Sequence, residues 1–247
     1  MLIHRLNAPM TLRLAGVKGW IISIMLGCLC LRAADVPAEN PFRAGVSGES
    51  VTNAPLKQIR PGVFELGQVR LDKDKRTVSF PASVNQREGN IEYVVVTATG
   101  KTHESLLLTT AEPFHLQLAF LLLGAKGAGT NALPEDPARP LSGDKVEIAF
   151  NWNEDGKMLR FRAEEFVHDR KAGGPARRGD WIYTGSRLRD DGFAAQLDGS
   201  IVSLITDADA LINNPRPGRE DDDNWLVRTN NLPPLHAPVE VTIRLVR

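Results

Sequence analysis

Residues 91–105 read Ile-Glu-Tyr-Val-Val-Val-Thr-Ala-Thr-Gly-Lys-Thr-His-Glu-Ser, and the apolar run that follows ends Ala-Phe-Leu-Leu-Leu-Gly at Gly124. The segment Glu92–Thr99 is β-branched and aromatic without alternation, which is typical of a central strand covered on both faces. The run at about 111–123 predicts the main apolar helix of the fold, and Gly124 ends it. Its predicted core-facing stripe consists of Phe114, Leu118, Leu121 and Leu122.

Outside this stretch the patterns are mostly those of strands. Arg76–Val84 and Val239–Val246 alternate apolar and polar residues with a period of two, as half-buried strands do. Asp155-Gly156 predicts a two-residue hairpin turn between two further strands. A short second helix is predicted at about 207–212. The predicted fold class is α+β and β-rich, with mostly antiparallel sheets.

The N-terminus has the features of a secretory signal. Residues 1–18 carry three basic residues and no acid, Trp20–Leu31 is apolar, and small residues follow at Ala33 and Ala34. The apolar run is shorter than the roughly 20 residues that a membrane span needs. We therefore predict a signal peptide at 1–34, starting at Met1 or Met10, a flexible linker at 35–60 and a single domain at 61–247. The expected location is the periplasm, the cell envelope or the extracellular space.

Charge and cysteine content limit the classes of function. Lys plus Arg and Asp plus Glu both number 30, which argues against nucleic-acid binding because that requires a basic face. The two cysteines, Cys28 and Cys30, both lie in the predicted signal, so we expect no iron–sulfur cluster in the mature chain. Contact with a membrane is expected only through the signal or through a lipid on Cys28, which is the alternative to cleavage.

The turn at Lys101–Ser105 is the main candidate site, since turns after buried strands often carry function. A histidine beside a carboxylate can act as a general base or a metal ligand. The catalytic candidates are therefore His103, Glu104 and Ser105. The candidate ligand-binding residues are Lys101, His103, Glu104 and His115, and the candidate ligands for a divalent metal are His103, His115 and His168.

Two better-known motifs fail at identifiable positions. A zincin helix would need a second histidine at the position of Leu107, and a phosphate-binding loop would need glycine at the position of Val95. The acidic run Glu220–Asp223 lacks the spacing of a calcium loop and is interpreted as a solvated turn.

Several short blocks, in order along the chain, resemble the YdjY-type domain family. They are Gly100-Lys101-Thr102-His103-Glu104-Ser105-Leu106, Leu123-Gly124, Trp181-Ile182-Tyr183-Thr184-Gly185-Ser186, Asp198-Gly199-Ser200-Ile201, Thr206-Asp207 and Leu232-Pro233. The resemblance covers about residues 61–247 and implies that the Lys101–Ser105 turn is the marked motif of the family. It implies no reaction, because the family is uncharacterised. Some of its relatives are labelled ferredoxin-like, a label that the absence of cysteines in the mature chain does not support.

Two hypotheses of function follow from the sequence. The first is an exported module that binds a small ligand or an envelope protein. The second is a metal-dependent or His/Glu-based hydrolase that uses the Lys101–Ser105 turn. A pocket that brings His103 and Glu104 within ligand reach of His115 or His168 would favour the second hypothesis, and side chains that point apart would count against it.

Overall fold

The structure is a computed structural model that describes residues 54–129, 133–134 and 136–246, all of which fall in one compact unit. The predicted signal peptide, both cysteines and most of the predicted linker lie outside the described residues. The first strand, β1 (Lys57–Arg60), covers the last four residues of the segment predicted as linker.

Eight strands close into a barrel. The strands are β4 (Thr77–Val84), β5 (Tyr93–Thr97), β6 (Ser105–Thr109), β7 (Asp144–Glu154), β11 (Trp181–Tyr183), β14 (Ser200–Ser203), β15 (Ile212–Asn213) and β17 (Pro238–Leu245). Their order is β4-β17-β7-β11-β15-β14-β5-β6, and β6 pairs back onto β4 to complete the circuit. The pairs β5–β6 and β14–β15 are parallel and the others are antiparallel, which confirms the predicted β-rich, mostly antiparallel class.

Two long strands leave the barrel and continue as an open sheet. The first half of β4 pairs with β3 (Val69–Asp72), which continues through β2 (Val63–Leu66) to β1. The second half of β7 pairs with β8 (Lys157–Arg162) across the predicted hairpin turn. Both turn residues, Asp155 and Gly156, have positive φ, at 51° and 80°, as a type I′ turn requires.

Smaller elements cover the barrel. A three-stranded sheet contains β10 (Gly174–Pro175), β9 (Val167–Asp169) and β16 (Trp225–Val227), and a two-stranded hairpin contains β12 (Leu188–Arg189) and β13 (Gly192–Phe193). Single-turn 3₁₀ helices occupy Thr102–Glu104 and Ala163–Phe166. The side chains of Val94, Val95 and Val96 are fully buried, so β5 is covered on both faces, as predicted.

The main helix, α1 (Pro113–Leu122), forms where the apolar run predicts it, but the predicted buried face is wrong. The buried residues are Pro113, His115, Leu116, Ala119 and Phe120, whereas Leu121 and Leu122 are 52% and 43% exposed. Because apolar residues surround this helix on all sides, their periodicity does not determine which face turns inward.

The position predicted for the second helix is also wrong. The short second helix, α2, is Ala194–Asp198, and residues 207–211 form turns that lead into β15. The physical reason is local hydrogen bonding: the Asp207 amide donates to the Asn213 side chain at 2.8 Å, and the Asn213 amide group donates to the Asp207 carbonyl at 2.8 Å. These side-chain bonds replace the backbone bonds of a helix.

Within the described residues, none of the helices combines the length and the apolar character that crossing a bilayer requires.

Candidate functional site

The Lys101–Ser105 turn connects the parallel strands β5 and β6 at one end of the barrel. Its backbone is closed by bonds from the Glu104 amide to the Lys101 carbonyl at 3.1 Å and from the Ser105 hydroxyl to the same carbonyl at 2.6 Å. Gly100 precedes the turn because a Cβ there would lie 2.9 Å from the Cβ of Val96. The turn is therefore built by local bonds and by close packing against β5.

The connection between β4 and β5 fixes the turn from the other side. The side-chain amide of Asn85 donates to the carbonyls of Thr102 and Ser105, at 2.6 and 2.7 Å. Gln86 donates in the same way to the His103 carbonyl at 2.7 Å, and the Glu92 amide donates to the Glu104 carbonyl at 2.8 Å. These bonds hold the backbone in one conformation, and the side chain of His103 remains 76% exposed.

An ion pair dominates the electrostatics of the turn. The ammonium of Lys101 lies 2.5 Å from Oε2 of Glu92 and 3.6 Å from Oε2 of Glu104. The hydrogen bond to Glu92 raises the pKa of Lys101 against the opposing effect of burial, so the side chain remains a cation at neutral pH. Glu92 is 11% exposed and Lys101 51%, so the carboxylate is enclosed while the ammonium reaches solvent.

A tyrosine and a third carboxylate extend this cluster. The Lys101 ammonium lies 5.7 Å from the centre of the Tyr93 ring, and the Tyr93 hydroxyl donates to Oδ2 of Asp207 at 3.1 Å. Burial, followed by the charge of Asp207, raises the pKa of Tyr93, which keeps the phenol neutral. We call Glu92, Tyr93, Lys101, Glu104 and Asp207 the barrel-end cluster, in which two carboxylates contact the ammonium and the third accepts a hydrogen bond from Tyr93.

The structure brings some of the candidate residues together and separates others. His103 lies beside Glu104, with 3.5 Å between Nε2 and Oε1, and Glu104 in turn lies 3.6 Å from the Lys101 ammonium. His115 is 1% exposed on the inner face of α1, where a Cβ on Gly67 would come within 2.7 Å of its Nδ1. His168 lies on β9 in the separate three-stranded sheet.

Two hypotheses about these residues stay predictions. Ser105 is fully buried, and its hydroxyl donates to the Lys101 carbonyl. A catalytic role for Ser105 stays a prediction. Among the described residues, the one group of three acidic, histidine or cysteine side chains whose ligand atoms lie close enough to share a metal ion is Asp221–Asp223. The metal set of His103, His115 and His168 likewise stays a prediction.

Sequence reasoning did not single out Glu92, Tyr93 or Asp207 as site residues. Glu92 and Tyr93 look like the start of a buried strand, and Asp207 lies more than 100 residues further along the chain. A partial signal was present, because a charged residue seldom begins an otherwise apolar strand unless it has a partner.

The family model for the YdjY domain matches residues 69–244. The chain belongs to the YdjY domain family. The match runs from the first residue of β3 almost to the end of β17, so the YdjY domain includes the whole barrel and the barrel-end cluster. No curated protein and no solved structure matches the chain.

Proposed function

We propose that this YdjY domain is an exported binding module whose barrel-end cluster takes up a polar ligand or a polar segment of an envelope protein. The observation that carries the proposal is the arrangement around Lys101: a fixed backbone presents a half-exposed ammonium between two carboxylates. Groups that are already held in one conformation lose little conformational entropy when a ligand binds, which favours recognition. Export rests on the charged, apolar and small-residue order of residues 1–34.

The composition of the cluster suggests the chemistry of its ligand. Three carboxylates and one ammonium give the cluster a net negative charge, which favours ligands rich in N–H and O–H donors. An ammonium has three hydrogens, so Lys101 keeps a donor for a ligand carbonyl or hydroxyl after it bonds Glu92 and Glu104. A neutral polar molecule, or a segment with an amino group, fits both requirements.

The direct test is capture from an envelope extract with the full chain as bait, comparing Lys101→Ala with Lys145→Ala. Lys145 is a matched control because it is 64% exposed and pairs with Asp180 at 3.6 Å, outside the cluster. We expect the wild type and Lys145→Ala to retain the same species and Lys101→Ala to lose it.

A second variant separates loss of binding from loss of folding. Glu92→Gln/Lys101→Met removes both charges of the ion pair, so no enclosed carboxylate is left unpaired. We expect its melting temperature to stay close to that of the wild type while capture is lost. Equal capture by the wild type, Lys101→Ala and the double variant would rule out the proposal, and so would a wild type that captures nothing.

A further inference from the structure

A long groove lies on the outer face of the open sheet, separate from the barrel-end cluster. It consists of two adjoining depressions of about 650 and 580 Å³ that share Arg70, Ser79 and Glu240. Its walls and floor come from β2, β3, β4, β17, β7 and β8, and the larger depression also includes residues of β1. The groove contains none of the residues of the barrel-end cluster.

The larger depression is basic although the chain is not. Five cations and two acids line it, namely Arg60, Arg70, Lys75, Arg160, Arg244, Asp72 and Glu240. Without residues 1–34, which hold four basic residues and no acid, the chain has 26 basic and 30 acidic residues, a net charge of −4. The positive lining is therefore a local concentration of charge and does not reflect the composition of the whole chain.

Arg70 and Arg244 are already paired with Glu65 and Glu147, but part of the remaining positive charge is not neutralised. Arg60 and Lys75 share a single carboxylate, Asp72, at 3.4 and 3.8 Å. Within the part of the chain that the structure describes, Arg160 makes no ion pair, and it donates to the amide oxygen of Asn151 at 3.1 Å. A bound anion could therefore gain charge-assisted hydrogen bonds here without first breaking an established pair around Arg160.

Neutral polar groups form the floor. Asn151 and Thr242 are each 8% exposed, and the Asn151 amide donates to the Thr242 hydroxyl at 2.8 Å. Ser79 lies directly opposite Thr242 in the register between β4 and β17. These hydroxyl and amide groups face the same side of a fully paired sheet, so their positions are fixed in the absence of a ligand.

The smaller depression adds apolar surface. Trp152, Met158, Pro81 and Pro238 line it, and Met158 is 66% exposed. Trp152 is 7% exposed and stacks on Phe161, with 5.1 Å between ring centroids and an interplanar angle of 17°. The whole groove therefore offers cations and hydroxyls at one end and the apolar surface of Met158 and two prolines at the other.

We propose that this groove binds an extended acidic polysaccharide. Sugar carboxylates would pair with Arg160 and its neighbouring cations, sugar hydroxyls would bond the floor, and the apolar ring faces would lie on Met158 and the prolines. An extended peptide usually binds by adding a strand to a free sheet edge. The central strands under the groove, β4, β17 and β7, are paired on both sides, so recognition on the floor proceeds through side chains. The strands at its borders, β1 and β8, each keep one unpaired edge, and poly-L-glutamate tests whether an acidic peptide uses them.

The test is titration of the full chain with polygalacturonate, a polymer of sugar rings that each carry a carboxylate. Three comparison polymers each share only part of this chemistry. Dextran has sugar rings without charge, poly-L-glutamate has carboxylates without sugar rings, and single-stranded DNA carries phosphates in place of carboxylates. We expect polygalacturonate to bind more tightly than all three and to weaken as salt rises, because exposed charges are screened.

Matched variants locate the binding surface. Arg160→Gln should weaken binding about tenfold, as expected for loss of a charge-assisted hydrogen bond. Arg178→Gln, which changes an exposed arginine outside the groove, should leave binding unchanged. Met158→Asp should weaken binding strongly through repulsion, whereas Leu188→Asp, at an 82% exposed position elsewhere, should not.

Three outcomes would overturn the proposal. The first is no binding of polygalacturonate at low salt. The second is equal binding of poly-L-glutamate or DNA, which would mean that charge alone is recognised. The third is the same affinity for Arg160→Gln and Arg178→Gln, which would place the binding surface elsewhere. Loss of capture by Lys101→Ala tests the other site and leaves this result unaffected.

Discussion

Glu164 is a buried carboxylate that forms ion pairs with two arginines. Its Oε1 lies 2.8 Å from Nη2 of Arg216 and 3.1 Å from Nη2 of Arg162, and its side chain is 1% exposed. The guanidinium of Arg216 is 7% exposed and lies 4.9 Å from the centre of the Trp181 ring. Burial lowers the pKa of Arg216, although the charge of Glu164 partly offsets it. Glu164→Gln would leave a buried cation without its counter-charge.

The burial of Glu164 determines how much stability Glu164→Gln should lose. Breaking one partner of a buried ion pair costs about 3–5 kcal/mol. For a domain of this size, 1 kcal/mol corresponds to roughly 2–4 °C in melting temperature, so Glu164→Gln should lower it by about 6–20 °C. Glu147→Gln is the matched control, because Glu147 also contacts two arginines, Arg162 and Arg244, but is 30% exposed. Its loss should be about 1 kcal/mol or less.

The assay is urea unfolding of the full chain, together with thermal melts at the same pH and salt. A double variant, Glu164→Gln/Arg216→Met, provides a further check, since removing the unpaired cation should recover part of the lost stability. If Glu164→Gln were no more destabilising than Glu147→Gln, burial would not be the factor that makes this pair important, and the reasoning would fail.

Three further predictions concern the described residues. Gly67→Ala should destabilise more than Gly124→Ala in urea, because both have positive φ but only Gly67 would place its Cβ against His115; equal losses would contradict this. Leu116→Ala should lower the free energy of unfolding by about 2–5 kcal/mol and Leu121→Ala by less than about 0.5 kcal/mol, since the first residue is buried and the second half-exposed. The reverse order would support the buried face of α1 that the sequence pattern predicted. Burial raises the pKa of Glu147, but hydrogen bonds from its two arginines outweigh this and lower it. Stabilisation by this carboxylate is therefore present above its unfolded pKa of about 4.3 and lost as pH falls below it. Melting curves between pH 3 and 7 should converge for the wild type and Glu147→Gln at the acidic end, and a constant difference would refute the assignment.

The elements that could be predicted are those whose sequence pattern fits only one type of secondary structure. The uninterrupted β-branched run of β5 and the alternation in β4 and β17 each fit one kind of strand. Asp155-Gly156 identified its hairpin because few other dipeptides accept two residues of positive φ. The existence of α1 was predictable for the same reason, since eight of the ten residues between Pro113 and Gly124 are apolar and a run of this length is typical of a buried helix.

The features that could not be predicted depend on residues distant in sequence. Packing against β3, β4 and α2 determines which face of α1 is buried. Because apolar residues occur on every side of this helix, its sequence pattern does not indicate that face. The turn at Lys101–Ser105 could be located from the end of its strand. Its partners Glu92 and Asp207 meet there only because β14 pairs with both β5 and β15.

The position of β17 has a consequence for the order in which the domain can assemble. This last strand lies between β4 and β7, with seven register partners on one and six on the other. Until the residues near Leu245 are available, the earlier strands have no closed circuit, and both edges at the gap expose unpaired backbone to other chains. A ribosome or a translocation channel that has not yet released β17 therefore holds an open barrel. Closure of the barrel should therefore follow the emergence of β17, whatever the order in which the other strands pair.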